Sequence, residues 1–384
     1  MLKLVLGTSG SGKTTLLYAR IRARAEAGKR SILLVPEQFT SSTEARIYRE
    51  LGDALSGMVE SYSFTSLAEH ILAVEGGAAV QTLTDAGRAV LVRRALEELQ
   101  DNVHYYYRHR RSAAFCQMAA ETIDELKSAG LSGQQLQELA RDCGTESAKL
   151  GELALIFQGY ESLLAGTGMD PADRLELAAD RLEAALARDE LPDFLREREV
   201  FIDEFDTFNA PKKRLMGAML AALPAVTVAL CEDGAPMQPG DLELFSGAKQ
   251  VAAQLRQLAR KNGAQVAAPE LLRRDLRHKD APGLAALTEL LETGSCTPPE
   301  SAPELRLFAA ASREEEARCA AAAIRRLMRQ GVRCGKIAVV CRDISLYRAA
   351  VRYEFRMAEI PLYCDEPTTP EFSAPATAVR ALLA

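Results

Sequence analysis

The period of the apolar positions changes along this chain, and each change predicts a different layer of structure. Leu4-Val5-Leu6 and Ser31-Ile32-Leu33-Leu34-Val35 are short continuous apolar runs, the second ended by Pro36, with a helix-like segment from Thr15 to Ala27 between them. Continuous rather than alternating runs are what strands covered on both faces require, so residues 1–77 read as the opening of a parallel α/β sheet. From Leu83 to about Leu195 the period becomes helical. Thr84 is placed to cap a helix carrying Leu91, Val92, Ala95, Leu96 and Leu99, and Leu153, Phe157, Tyr160 and Leu164 repeat the spacing. Residues 78–195 are therefore expected to form a large helical insertion. The sheet is expected to resume at Val200-Phe201-Ile202 and at Val226-Thr227-Val228-Ala229-Leu230, followed by helices over 241–262 and 283–292.

Residues 293–303 are rich in Pro, Ser and Thr and read as an extended linker. Beyond it, Leu305-Arg306-Leu307-Phe308, a helix near 312–330 and Ile337-Ala338-Val339-Val340-Cys341 predict a second β-α-β unit over 304–384. Ala384 falls inside a helix-like segment, which predicts a chain cut from a longer protein.

Candidate chemistry sits where the first strand meets the first helix. Gly7-Thr8-Ser9-Gly10-Ser11-Gly12-Lys13-Thr14 fits G-x-x-x-x-G-K-T in full. Glycines at these positions let successive backbone N–H groups turn inward as an anion nest, and the helix that follows aims its positive end at the same point. Lys13 would reach the β- and γ-phosphates of ATP, Thr14 would ligate Mg²⁺, and the loop through Thr15 would supply main-chain contacts. The alternative is a glycine-rich turn without a ligand. Such a loop needs an acidic partner for the metal, and Asp203, after Val200-Phe201-Ile202, is the expected second Mg²⁺ ligand. Glu204 would orient or deprotonate the attacking water, with Asp206 in a supporting or capping role; the alternative is an acidic surface turn.

Composition narrows the setting. The 384 residues are 48% hydrophobic with a net charge of -6, which describes a globular protein without a pervasive basic surface, so any DNA contact must be local. Eight cysteines are scattered without C-x-x-C spacing, and no apolar run approaches the ~20 residues needed to cross a bilayer; a cytoplasmic location is expected.

With the glycine loop and Asp203-Glu204 in place, the chain resembles the UvrD/Rep-like superfamily 1 helicases. Within them it is most similar to the AddB (RexB) family, B subunits of the AddAB ATP-dependent helicase/deoxyribonucleases. Val35-Pro36-Glu37-Gln38-Phe39-Thr40, Ser61-Tyr62-Ser63-Phe64-Thr65-Ser66-Leu67-Ala68, Thr84-Asp85-Ala86-Gly87-Arg88 and Phe201-Ile202-Asp203-Glu204-Phe205 carry the resemblance, with Ile337 to Arg342 and Ile360-Pro361-Leu362-Tyr363. It implies a P-loop NTPase (RecA-like) domain 1A over 1–77 and 196–292, a helical domain 1B over 78–195, and the first part of domain 2A over 304–384. Arg342 would then reach the γ-phosphate; otherwise it ends a strand and pairs with Asp343 or solvent. The resemblance further implies an AddA-type partner subunit, binding of single-stranded DNA and duplex ends in double-strand break repair, and recognition of a regulatory sequence called Chi. A nuclease domain and an iron–sulfur cluster would lie outside these residues.

Two departures bear on this. Translocating helicases carry a glutamine-containing adenine-recognition segment before the loop, where only six residues precede Gly7 here. They also place Gln and Arg after the strand at 226–230, where this chain has Cys231-Glu232-Asp233-Gly234. Both favour a scaffold whose partner drives unwinding. The competing readings are a small-molecule P-loop kinase and a nucleotide-binding structural module without turnover.

His104-Tyr105-Tyr106-Tyr107-Arg108-His109-Arg110-Arg111 interleaves rings with cations, a composition suited to single-stranded DNA. Inward packing of the tyrosines with solvated arginines is the preferred reading here. Arg273-Arg274-Asp275-Leu276-Arg277-His278-Lys279 reads as a solvated surface, and Ser63 and Thr65 as either phosphate donors or helix caps.

Overall fold

The structure is a computed structural model that describes residues 1–77, 79, 81–236, 244–364 and 374–383. It is an α/β protein with a six-stranded parallel sheet: β1 Leu2–Gly7, β2 Ser31–Leu34, β3 Val59–Tyr62, β4 Glu199–Ile202, β5 Ala225–Cys231 and β6 Glu270–Leu272. The strand order is β3-β2-β4-β5-β1-β6. The described helices are α1 Lys13–Glu26, α2 Thr40–Leu51, α3 Asp53–Ser56, α4 Phe64–Glu75, α5 Asp85–Glu98, α6 Ala113–Ser128, α7 Gly133–Ala140, α8 Ser147–Leu164, α9 Pro171–Ala187, α10 Ala210–Ala222, α11 Ser246–Lys261, α12 Pro282–Thr293, α13 Arg313–Arg329, α14 Ile344–Met357 and α15 Ala374–Leu383. The chain divides into two compact units, Met1–Thr297 and Pro298–Ala384. None of the described helices is long and apolar enough to cross a membrane.

Alternate residues of each strand feed two separate cores. Leu2, Leu4 and Leu6 of β1, Ile32 and Leu34 of β2, Val200 and Ile202 of β4, and Val226, Val228 and Leu230 of β5 join one cluster with α4, α9, α10 and α11. Val5, Leu33, Phe201 and Ala229 point the other way, against α1 and α2. This two-sided burial is why the strands read as unbroken apolar runs.

The helical insertion has a core of its own, built from α5, α6, α7 and α8 around Phe157 and Tyr160. Thr84 caps α5 as its side chain predicts, accepting from the Gly87 N–H at 3.2 Å. Leu175, Ala178, Ala179 and Leu182 of α9 instead pack into the sheet's core, so that core recruits a helix from inside the insertion.

In the second unit, α13 and α14 pack through Ala321, Ile324, Val351 and Phe355. Leu305–Phe308 and Ile337–Cys341, expected as strands, pair with nothing in the described residues, and Leu307 and Val340 are 99% and 90% exposed. A strand forms only where a neighbour supplies its ladder hydrogen bonds.

Beneath the sheet, the buried Glu199 carboxylate accepts from Lys3 Nζ at 2.8 Å and Thr227 Oγ1 at 2.9 Å, with Arg24 at 3.3 Å. Burial pushes its carboxyl pKa up, but these donors outweigh burial and hold it below the ordinary value. A depressed folded-state value contributes stability above the unfolded carboxylate range, lost as pH falls through the folded value. Glu199→Ala should therefore destabilise the protein by roughly 2–4 kcal/mol near neutral pH, with a shrinking difference below about pH 4. Denaturant midpoints that coincide at pH 7 would count against the network.

Candidate nucleotide-binding site

Parallel pairing sets the site, because every strand ends on the same edge of the sheet. Gly7 lies opposite Cys231 on one side and Leu272 on the other, and Ile202 is one strand further away, opposite Val228. At this edge the chain turns from β1 through the glycine loop into α1. Gly10 and Gly12 adopt φ of 83° and 92°, a region that favours glycine. Gly7 is required for space: a Cβ there would lie 2.4 Å from Ser11 Oγ and 2.7 Å from the Leu272 carbonyl oxygen.

Lys13 and Thr14 open α1 beneath the loop. Lys13 Nζ donates to the Gly7 and Thr8 carbonyls at 2.7 and 2.8 Å. Burial lowers the pKa of its ammonium, with Arg277 adding to the effect and Cys231, Asp203 and Glu292 opposing it. Asp203 is 5% exposed, and its N–H donates to the Leu34 carbonyl at 3.1 Å. Burial raises its carboxyl pKa, opposed by the neighbouring Thr14 hydroxyl, the hydrogen bond from the Glu204 N–H and the charges of Lys13 and Arg46.

Glu204 stands in the left-handed region at φ 64°, with its N–H held by Asp203 Oδ1 at 3.0 Å. A non-glycine residue there costs of order 1 kcal/mol or more and is typical of functional turns. Burial, then Asp203, raises the Glu204 pKa, and Arg46 opposes them. Lys13, Thr14, Thr15, Asp203, Glu204 and Asp206 line one cavity of about 570 Å³ with Ser9, Gly10 and Gly12. Asp206 does not cap the following helix; Asn209 does, accepting from the Lys212 N–H at 3.1 Å.

Two contributors escape sequence reasoning. Arg46 of α2 lines the cavity, its guanidinium 4.8 Å from the Tyr18 ring centroid. The segment after β6 is not a free surface. Because β6 runs parallel to β1, its exit falls beside the loop, where the Leu276 N–H donates to the Gly10 carbonyl at 3.0 Å and Arg277 Nη1 to Ser9 Oγ at 3.1 Å. Asp275 fixes this turn by accepting from the Arg277 and His278 N–H groups. Arg342 lies in the second unit, exposed, beside a groove of that unit. Its neighbour Asp343 caps α14 through Ser345.

A second cavity of about 470 Å³ meets the first at Glu204 and Asp206 and is lined by Gln38, Phe64, Thr65, Asn209 and Lys212 among others. The Lys212 ammonium stands 5.6 Å from the Phe205 ring centroid and 5.9 Å from that of Phe64. Ser63 acts as the cap of α4, accepting from the Ser66 N–H at 3.1 Å.

The chain is 33% identical over 379 residues to the B subunit of the ATP-dependent helicase/deoxyribonuclease of Moorella thermoacetica, covering 95% of this chain and 32% of that protein. The protein of the same description from Desulforudis audaxviator is 34% identical over 381 residues, with the same coverage. That of Symbiobacterium thermophilum is 32% identical over 390 residues, 96% of this chain and 32% of its own length. The chain thus spans about a third of these relatives. The family described as ADDB, N-terminal, matches residues 4–288, and the chain belongs to this family of helicase/deoxyribonuclease B subunits.

Proposed function

We propose that residues 1–297 form a RecA-like P-loop module that binds ATP·Mg²⁺ at the glycine loop and single-stranded DNA in the adjoining cavity. The meeting of Thr14 and Asp203 on the wall of one cavity carries this reading, because it brings two motif residues far apart in the chain together as a pair of hard oxygen donors. Such a pair suits Mg²⁺, and in the same loop Ser11 Oγ is buried with no hydrogen-bond partner among the described residues. Bound there, the metal would neutralise charge between the β- and γ-phosphates. Lys13 would exchange the Gly7 and Thr8 carbonyls for phosphate oxygens, and Arg277 and Arg46 would add positive charge on flanking walls. Glu204 would position the attacking water.

The adjoining cavity suits a nucleic-acid strand. Thr65 and Lys212 offer phosphate donors, and Gln38 and Asn209 offer amides to base edges, over a floor of the buried Phe64 and Phe205 rings. Glu204 and Asp206 border both cavities, so a strand bound in one touches residues of the other. On the family resemblance we extend this to a scaffold and Chi-recognition role in a cytoplasmic repair complex, with an AddA-type subunit driving unwinding. The nuclease and the iron–sulfur cluster would belong to the remaining length seen in relatives.

One observation favours a second reading, binding without turnover. Glu232, where helicases place coupling residues, is buried and its Oε2 has no hydrogen-bond partner among the described residues. The test is nucleotide binding and ATP hydrolysis by the full-length protein, alone and with its partner, with and without single-stranded DNA. Mg²⁺-dependent ATP binding and a change in affinity or turnover on adding the strand are expected. Phosphorylation of a small-molecule acceptor, or no nucleotide affinity at all, would sink the proposal.

A further inference from the structure

The ring-and-cation segment of the helical insertion divides into a packed half and an exposed half. Tyr106 stacks on Phe115 with centroids 5.6 Å apart at 23°, and Tyr107 has the Arg110 guanidinium closed over its face at 4.0 Å. These two rings pack as the sequence suggests. Tyr105 does not: it is 44% exposed and meets Tyr106 only edge-on, at 4.9 Å and 83°. The loop that presents it is fixed. The Glu152 carboxylate accepts from the N–H groups of His104, Tyr105 and Tyr106 at 2.8 to 3.1 Å.

Arg108 and Lys149 flank the Tyr105 ring at 5.7 and 5.4 Å from its centroid. Both stand near the outer limit for a cation over a ring, at roughly 6 Å, whereas Arg110 covers Tyr107 fully. A base can therefore slide onto Tyr105, leaving to the phosphates on either side Arg108 and, in exchange for its 3.0 Å ion pair with Glu146, Lys149. Arg111 is exposed on the same segment. A rigidly presented ring bracketed by cations is the arrangement that holds unpaired nucleotides, since a duplex hides the base faces that stacking needs.

We propose that Tyr105, with Arg108, Arg111 and Lys149, is a second single-strand DNA contact, separate from the cavity at Thr65 and Lys212. It rests on the reading that this protein binds DNA, and the experiment separates the two. Fluorescence anisotropy of single-stranded and duplex oligonucleotides is measured with the intact protein over a range of salt. Tyr105→Ala should weaken single-strand binding about tenfold and leave duplex binding unchanged, while Tyr105→Phe should bind as the wild type does. Arg108→Ala with Arg111→Ala should flatten the log–log salt dependence by about 0.7 for each phosphate that is no longer neutralised. Irradiation of a 5-iododeoxyuridine strand should cross-link the peptide containing Tyr105.

If Tyr105→Ala binds normally while Lys212→Ala does not, this second site is overturned and the DNA reading stands. Equal weakening toward duplex and single strand by Tyr105→Ala also overturns it, since stacking would not be involved. Failure of the wild type to bind any strand overturns both.

Discussion

Lys13→Ala is expected to reduce ATP·Mg²⁺ affinity at least a hundredfold in equilibrium titration while leaving the thermal midpoint nearly unchanged. The ammonium would make charge-assisted hydrogen bonds to phosphate, each worth about 1.5–3 kcal/mol, and each 1.4 kcal/mol is tenfold in affinity. Truncation also removes the two bonds to the Gly7 and Thr8 carbonyls, but these tie a side chain to its own loop and contribute little to global stability. The measurement therefore separates the two roles of the residue. A variant that binds ATP as well as the wild type would remove the nucleotide assignment altogether; one that unfolds would show that Lys13 holds the loop together.

The second large effect is expected at Glu204. Glu204→Gln keeps the shape of the side chain and the hydrogen bond from the residue's N–H to Asp203 Oδ1, so ATP affinity should stay within about threefold. Loss of a positioned base should lower turnover by roughly 10²- to 10⁴-fold. Single-turnover hydrolysis beside a binding isotherm gives both numbers. Equal loss of affinity and turnover would make Glu204 part of the binding surface only. Turnover undetectable in the wild type as well would favour binding without hydrolysis, the reading that Glu232 supports.

The sheet was legible to the extent that its strands are buried on both faces. β1, β2, β4 and β5 announce themselves as apolar runs because Leu33, Phe201 and Ala229 serve one core while their neighbours serve the other. β6 did not, since Glu270–Leu272 is three residues long and exists because the far edge of β1 accepts it. Leu305–Phe308 and Ile337–Cys341 failed in the opposite sense: their composition suits strands, yet composition cannot supply a partner.

The site shows the same division. That Gly7 to Thr14 and Asp203-Glu204 stand at strand ends was readable because spacing in a loop and position after a strand are local facts, and the structure brings them to one cavity. Arg46 and Arg277 were not, because their place depends on which helix covers the sheet and on β6 lying beside β1. Tyr105 was hidden among its neighbours, since spacing cannot tell which of three consecutive tyrosines turns outward.

Two-sided burial of β1 has a consequence for precision. A slip of one position would send Leu2, Leu4 and Leu6 into the space shaped for Val5, exchanging the demands of both cores at once. It would also carry the start of α1 about 3.3 Å along the strand axis, more than a hydrogen bond's length. The position of Lys13 is thus inherited from hydrocarbon fit deep in the protein, and mutations far from the glycine loop can displace it.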